Sequence, residues 1–149
     1  MLPALDPGAT RTRSSFRVRF CDTDLMGIVH HASYLSYFEM GRVEWLRARG
    51  VTYSEWAARG IHLPVVDASV RYMSPARFDD WLTVDARLVE LRSASLRFDY
   101  GLEREGVVLA AGSTRHACIG PGHVLRRLPP DMIDVLVSAE HPGKSPEAR

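Results

Sequence analysis

At 149 residues, with 46% hydrophobic and 25% charged side chains, the chain has the make-up of one globular domain, which excludes a fibrous or wholly disordered protein. Nineteen basic residues oppose eighteen acidic ones, and that balance gives no electrostatic reason to expect a nucleic-acid partner. Two scattered cysteines, Cys21 and Cys118, exclude a disulfide framework and suit a reducing compartment. No stretch approaches the ~18 apolar residues of a membrane span, so a soluble, cytoplasmic protein is expected.

Residues 1–15 carry Pro, Gly, Asp, Thr and Ser without periodicity and read as a flexible leader. Phe16, Val18 and Phe20 then alternate with Arg17 and Arg19, the period of a half-buried strand. Asp22 and Asp24 follow the strand end, and Gly27 permits a tight turn. A helical pattern runs over about 31–49, with Tyr34, Phe38, Gly41 and Trp45 on one stripe. Ser33 is its candidate N-cap, Arg47 and Arg49 suit the negative end of its dipole, and Gly50 suits a left-handed stop. Thr52 and Glu55 form the pattern of a capping box, with Val51 and Trp56 as its hydrophobic staple, opening a short helix that Gly60 ends.

From His62 the period changes to two. Val66, Ala68, Val70 and Tyr72 make one alternating set, Leu82, Val84, Ala86 and Leu88 a second, and Leu96, Phe98, Tyr100 and Leu102 a third. Glu105-Gly106 is a hairpin turn into a long strand over 107–119, where Ala110, Ala111 and Gly112 leave room for the Tyr and Trp side chains of the helix. Residues 123–128 are expected as a last strand or extended segment, and Pro130 opens a short helix to Val137. The polar tail is 139–149. One long helix and five to six antiparallel strands, each with a polar face, predict an α+β domain over 16–138, with the sheet curled round the helix.

The loop ahead of the long helix carries the chemistry. Asp22-Thr23-Asp24, Gly27-Ile28-Val29, His31-Ala32-Ser33-Tyr34 and Phe38-Glu39 together resemble the 4-hydroxybenzoyl-CoA thioesterase family of hot-dog-fold enzymes. They are most similar to its Tol-Pal-associated acyl-CoA thioesterase branch, which places a His where His31 stands. Tyr72 to Ala76 and His116 to Ile119 extend the resemblance more loosely. It implies a hot-dog fold, pairing of two sheets across a homodimer or homotetramer, and hydrolysis of short-chain or aromatic acyl-CoA to free acid and CoA.

Thioester hydrolysis needs a group that attacks the carbonyl carbon or deprotonates a water, and a carboxylate does either. Asp24 matches the family's catalytic position, and apolar Leu25, Met26 and Ile28 beside it would raise its basicity by burial. Both aspartates also suit plain turn and capping roles, and Asp22 is expected to bond only local backbone. Charge developing on the thioester oxygen calls for a free N–H at the helix N-terminus, for which the His31 amide is the candidate, with the His31 imidazole as a further acid, base or water-orienting group. The resemblance assigns substrate contacts to Gly27, Ile28, Val29, Tyr34, Tyr72, Ser74, Pro75 and Arg77, with the pantetheine arm beside the 72–76 turn. Arg77, Arg126 and Arg127 are the cations expected at its mouth. The remaining histidines, His62, His116, His123 and His141, lack ligand spacing, so no metal is expected, nor any cofactor beyond the CoA of the substrate. Two rivals remain: a non-catalytic acyl- or CoA-binding module, and a hydratase or dehydratase of acyl thioesters from a related hot-dog branch.

Overall fold

Five antiparallel strands form one sheet in the order β1-β3-β4-β5-β2 in a computed structural model that describes residues 2–141. The strands are β1 (Arg11–Arg17), β2 (Val65–Tyr72), β3 (Trp81–Leu91), β4 (Ser95–Arg104) and β5 (Val107–Ala117). The long helix is α1 (Ser33–Arg47), followed by α2 (Tyr53–Ala58) and, after the sheet, α3 (Pro130–Leu136). The predicted α+β architecture, a sheet around one central helix, is therefore the observed one. Most of the expected tail over 139–149 lies outside the described residues.

Alternation sets which face meets the helix. In β3 and β4 the buried residues Leu82, Val84, Ala86, Leu96, Phe98 and Tyr100 point to α1. Two glycines let the helix close on the sheet. A Cβ on Gly41 would lie 2.6 Å from Val84, and one on Gly112 would lie 2.6 Å from the Phe38 ring and 2.4 Å from the Ser69 carbonyl. The small-residue run of β5 thus accommodates Phe38, which stacks on Tyr100 at 4.5 Å, rather than the Tyr and Trp side chains expected there. Trp45 instead meets Phe98 edge-on.

Three expectations are corrected. The leader is shorter than 1–15, because β1 begins at Arg11, and Thr10 and Thr12 are buried. Its outer residues are arginines, matched across the sheet by Asp85 and Glu103. Ser33 does not cap α1: Ala32 holds the cap position with helical backbone angles, and the Ser33 hydroxyl reaches the Asp22 carbonyl. The expected last strand over 123–128 does not form: His123 ends a 3-10 turn with φ +60°, and the extended residues 124–128 have a single bridge, Ile119 with Leu125, as their sheet-like pairing.

Other local signals act as read. Thr52 accepts the Glu55 N–H at the start of α2, Gly50 and Gly60 take positive φ at helix ends, and Glu105-Gly106 turns the β4–β5 hairpin. β1 and β2 are the sheet's edges, and in β2 only Val70 is even partly buried. No helix among the described residues is long and apolar enough to cross a membrane.

Candidate active site

Residues 20–32 carry the chain from β1 to α1, and their hydrogen bonds give the two aspartates opposite surroundings. Asp22 is 5% exposed. It accepts from the Arg19 backbone N–H (3.1 Å), the Arg19 guanidinium (3.0 Å) and the Tyr37 hydroxyl (2.9 Å). Burial pushes its carboxyl up, but these donors outweigh burial and hold it below the usual carboxylate range. The same contact, with burial, raises the Tyr37 phenol. Asp22 therefore does more than bond local backbone: it ties the loop to α1.

Asp24 closes a tight turn. Its N–H donates to the Ile28 carbonyl (3.0 Å), its carbonyl accepts from Gly27 (3.0 Å), and its Oδ1 accepts the Met26 N–H (2.8 Å). Gly27 takes φ +78° to complete the turn. Asp24 Oδ2 has no protein partner among the described residues. Leu25 and Met26 are exposed, so the expected apolar burial of Asp24 by them is absent in the single chain; only half-buried Ile28 and buried Val29 stand beside it.

The carboxylate borders a cleft of about 310 Å³, within the range of small-molecule sites. Ile28, Val29, His31 and Tyr34 wall one side, and Tyr72, Ser74 and Pro75 the other. The sides are tied together: Val29 donates to the Ala76 carbonyl (2.8 Å), Ala76 to the Tyr34 hydroxyl (3.3 Å), and the Tyr72 hydroxyl to the His31 carbonyl (2.7 Å). Tyr34 and Tyr72 meet edge-on at 4.9 Å.

Two of the residues expected at substrate stand elsewhere. Gly27 shapes the turn without lining the cleft, and Arg77 is exposed off the cleft wall, its N–H on Asp80. Arg126 and Arg127 do not line the cleft either. The sequence reading missed Met26 and Met73, which complete the walls and whose only signal was adjacency to the motif. It also missed Arg104, which donates to the Pro75 carbonyl (3.4 Å) and pairs with Asp80 (2.7 Å), bringing a cation behind the cleft. In sequence Arg104 is only the polar end of an alternating strand.

At the mouth of α1 the His31 N–H has no acceptor among the described residues, whereas its neighbours do: His30 donates to the Asp22 carbonyl, Ala32 to His30 Nδ1 and Ser33 to the His30 carbonyl. The His31 ring is exposed and stacks on His30 at 4.2 Å. Asp24, with one carboxylate oxygen unbonded, and His31, with an unbonded N–H just ahead of the helix cap, thus border one cleft, the kind of pair that acyl transfer uses to attack a carbonyl and to hold the resulting oxyanion. No cluster of three metal-binding side chains occurs among the described residues.

The chain matches the model of the Thioesterase-like superfamily over residues 18–137. It is 34% identical over 120 residues to a putative esterase of Aquifex aeolicus, covering 80% of this chain and 93% of that one. To the acyl-CoA thioester hydrolase YbgC of Escherichia coli it is 32% identical over 113 residues, covering 75% and 84%. The crystal structure of a hypothetical protein from Thermus thermophilus superposes with a TM-score of 0.81 at 42% identity, covering 84% and 96%.

Proposed function

This chain belongs to the Thioesterase-like superfamily, with its hot-dog fold, and on that premise we propose that it hydrolyses acyl-CoA thioesters to free acid and CoA. The observation that carries the reading is the convergence of Asp24 and the unbonded His31 N–H on one cleft. The Asp24 oxygen left free by the Met26 contact either attacks the thioester carbon or takes a proton from an attacking water. The His31 N–H donates to the carbonyl oxygen as it gains charge, an interaction typically contributing about 3 kcal/mol. By the first route the C–S bond breaks as an anhydride forms on Asp24, the thiolate leaves to take up a proton from solvent, and water hydrolyses the anhydride. By the second the oxygen of water joins the acyl carbon, the C–S bond breaks, and the proton held by Asp24 passes to the departing sulfur. The step needs no metal or redox cofactor.

The pantetheine arm enters past Tyr72, Ser74 and Pro75, with Arg104 as the cation behind that wall. A second copy pairs with the open edge of β2, giving a homodimer or a homotetramer built from two, since an exposed strand edge is a ready template for pairing. Two free cysteines are in keeping with the cytoplasm.

Purified protein assayed for thiol release against acyl-CoA thioesters of varied length and aromaticity tests the proposal. Release that Asp24→Asn abolishes supports it. Binding without turnover would leave an acyl-CoA-binding module, and enoyl-thioester hydration without thiol release would leave a hydratase.

A further inference from the structure

A second cavity, also of about 310 Å³, lies away from Asp24, beneath α1 and between β2 and α3. Its floor is Val43, Leu46, Leu63, Leu96, Phe98 and Leu136, while exposed Glu39 and half-buried Arg42 stand at its mouth. A concave hollow of this size with an apolar floor and polar groups at its mouth has the form of a small-molecule site.

The polar groups of the floor set its chemistry. His116 Nδ1 is 2.8 Å from the Leu63 carbonyl and its Nε2 2.8 Å from the Thr114 hydroxyl, which in turn contacts the Tyr100 hydroxyl; Tyr100 also accepts from Arg42. No buried side-chain polar atom among the described residues lacks a partner. The buried polar groups are thus bonded to one another, the Tyr53 hydroxyl accepts the Leu63 N–H, and apolar side chains make up the floor, which favours a hydrocarbon occupant.

The cavity also opens onto a neighbouring hollow. That third hollow, lined by Leu35, Ser36, Ala68 and Thr114, shares Glu39, Arg42 and Val65 with the cavity. It lies on the seam between α1 and β2, where Leu35 adjoins Tyr34 and Ala68 belongs to the strand that ends at Tyr72, and Tyr34 and Tyr72 wall the Asp24 cleft. At the rise of an α-helix the seam from His31 to Leu46 is roughly 22 Å long.

We propose that seam and cavity form a tail site for a long unbranched acyl chain, with the thioester at Asp24 and the terminal methyl end among Leu46, Phe98 and Leu136. This rests on the thioesterase reading and departs from the short-chain or aromatic substrate that the motif resemblance implies.

Thiol release from butanoyl-, octanoyl-, dodecanoyl-, palmitoyl- and benzoyl-CoA, kept below their aggregation thresholds, tests it. kcat/KM should rise beyond octanoyl, by up to about fourfold per added methylene, the factor that burying one methylene supplies. Val43→Phe and, independently, Leu63→Phe fill the cavity. In whichever of them keeps its melting temperature, the loss on palmitoyl-CoA should exceed that on butanoyl-CoA at least tenfold. Best activity on butanoyl- or benzoyl-CoA, or equal losses at every chain length, would overturn the tail site and leave the thioesterase reading standing. No thiol release from any thioester would instead reject that reading. Binding of palmitoyl-CoA to the Asp24→Asn protein would then decide the tail site separately: weaker binding with Val43→Phe supports it, and unchanged binding overturns it.

Discussion

The two ends of α1 treat their polar groups in opposite ways. At the C-terminal end everything is used. Gly50 takes a φ of +82° and donates to the Arg47 carbonyl, and Val51 donates to the Leu46 carbonyl. Arg49, 1% exposed, donates to the carbonyls of Ala9, Trp45 and Ser138 and to the Thr12 hydroxyl, with its guanidinium 3.5 Å from the centre of the Trp45 ring. At the N-terminal end no side chain of the cap residue bonds the helix, and among the described residues the His31 N–H has no acceptor and Asp24 uses only one carboxylate oxygen. A helix start without a side-chain cap is less secured than one with its end groups bonded. The difference teaches that one end is built for cohesion, while the other, on the proposed thioesterase reading, keeps its unbonded groups for a substrate.

The largest effect that tests this contrast is at Asp24. Asp24→Asn keeps the shape and the Met26 contact but removes the negative charge, so thiol release should fall about 10³-fold, equivalent to about 4 kcal/mol in the barrier. The melting temperature should hardly move, because the group is half-buried and makes one hydrogen bond. A comparable loss of stability would mean that the N-terminal end is structural after all.

Arg49→Met is the converse. It orphans three carbonyls and the Thr12 hydroxyl, and stability should fall by about 3 kcal/mol in denaturant titration while kcat of the folded fraction persists. Arg49→Lys should recover little of it, since an ammonium cannot reproduce the planar fork or its stacking on Trp45. Burial lowers the Arg49 guanidinium to about 10, still charged at neutral pH, so its carbonyl partners are what make that burial tolerable.

The contrast explains what sequence could and could not reveal. Period-two and helical patterns located four of the strands, because those patterns record burial against the shared core; they misplaced both ends of β1, which starts at Arg11 and stops at Arg17, leaving Phe20 exposed in a 3-10 turn. Asp24, His31, Tyr34 and the 72–76 turn came from a contiguous motif, and they do meet in the cleft. The failures are residues whose meaning depends on distant partners. Arg49 reads as a surface charge suited to a dipole, and only the return of residues 9, 12 and 138 to that helix end makes it a hub. Arg11 and Arg13 hide a strand because their partners, Asp85 and Glu103, lie in β3 and β4. Gly27 and Arg77 were assigned to substrate by position along the chain, but the 24–28 turn faces Gly27 away and Asp80 takes the Arg77 N–H.

A smaller effect comes from His116, buried beneath the middle of α1. Burial lowers it to about 4 from an ordinary value of 6.5, so the folded protein keeps it neutral where the unfolded chain is protonated. The unfolded state then binds more protons between those values. Stability is full above about pH 6.5 and falls as pH drops toward 4, by on the order of 2 to 3 kcal/mol. Asp22, held below its ordinary range, adds a loss that begins only at still lower pH, as its carboxyl becomes protonated. Melting curves between pH 7 and 4.5 read the His116 part, and His116→Asn, which stays neutral throughout, should flatten the slope.

His31→Ala should have the smallest effect, and it sharpens the contrast most. The His31 carbonyl holds the Tyr72 hydroxyl and its N–H has no acceptor among the described residues, and alanine preserves both. What is lost is an exposed imidazole that stacks on the ring of His30. Thiol release should therefore fall less than about tenfold, short of the 10² to 10⁴ that a positioned acid or base supplies. His31→Pro removes the N–H as well, and should cost at least a further hundredfold, the scale of one lost oxyanion donor. If His31→Ala alone reached that larger loss, the imidazole would be the working group, and the reserve at this end of α1 would lie in a side chain instead of the backbone.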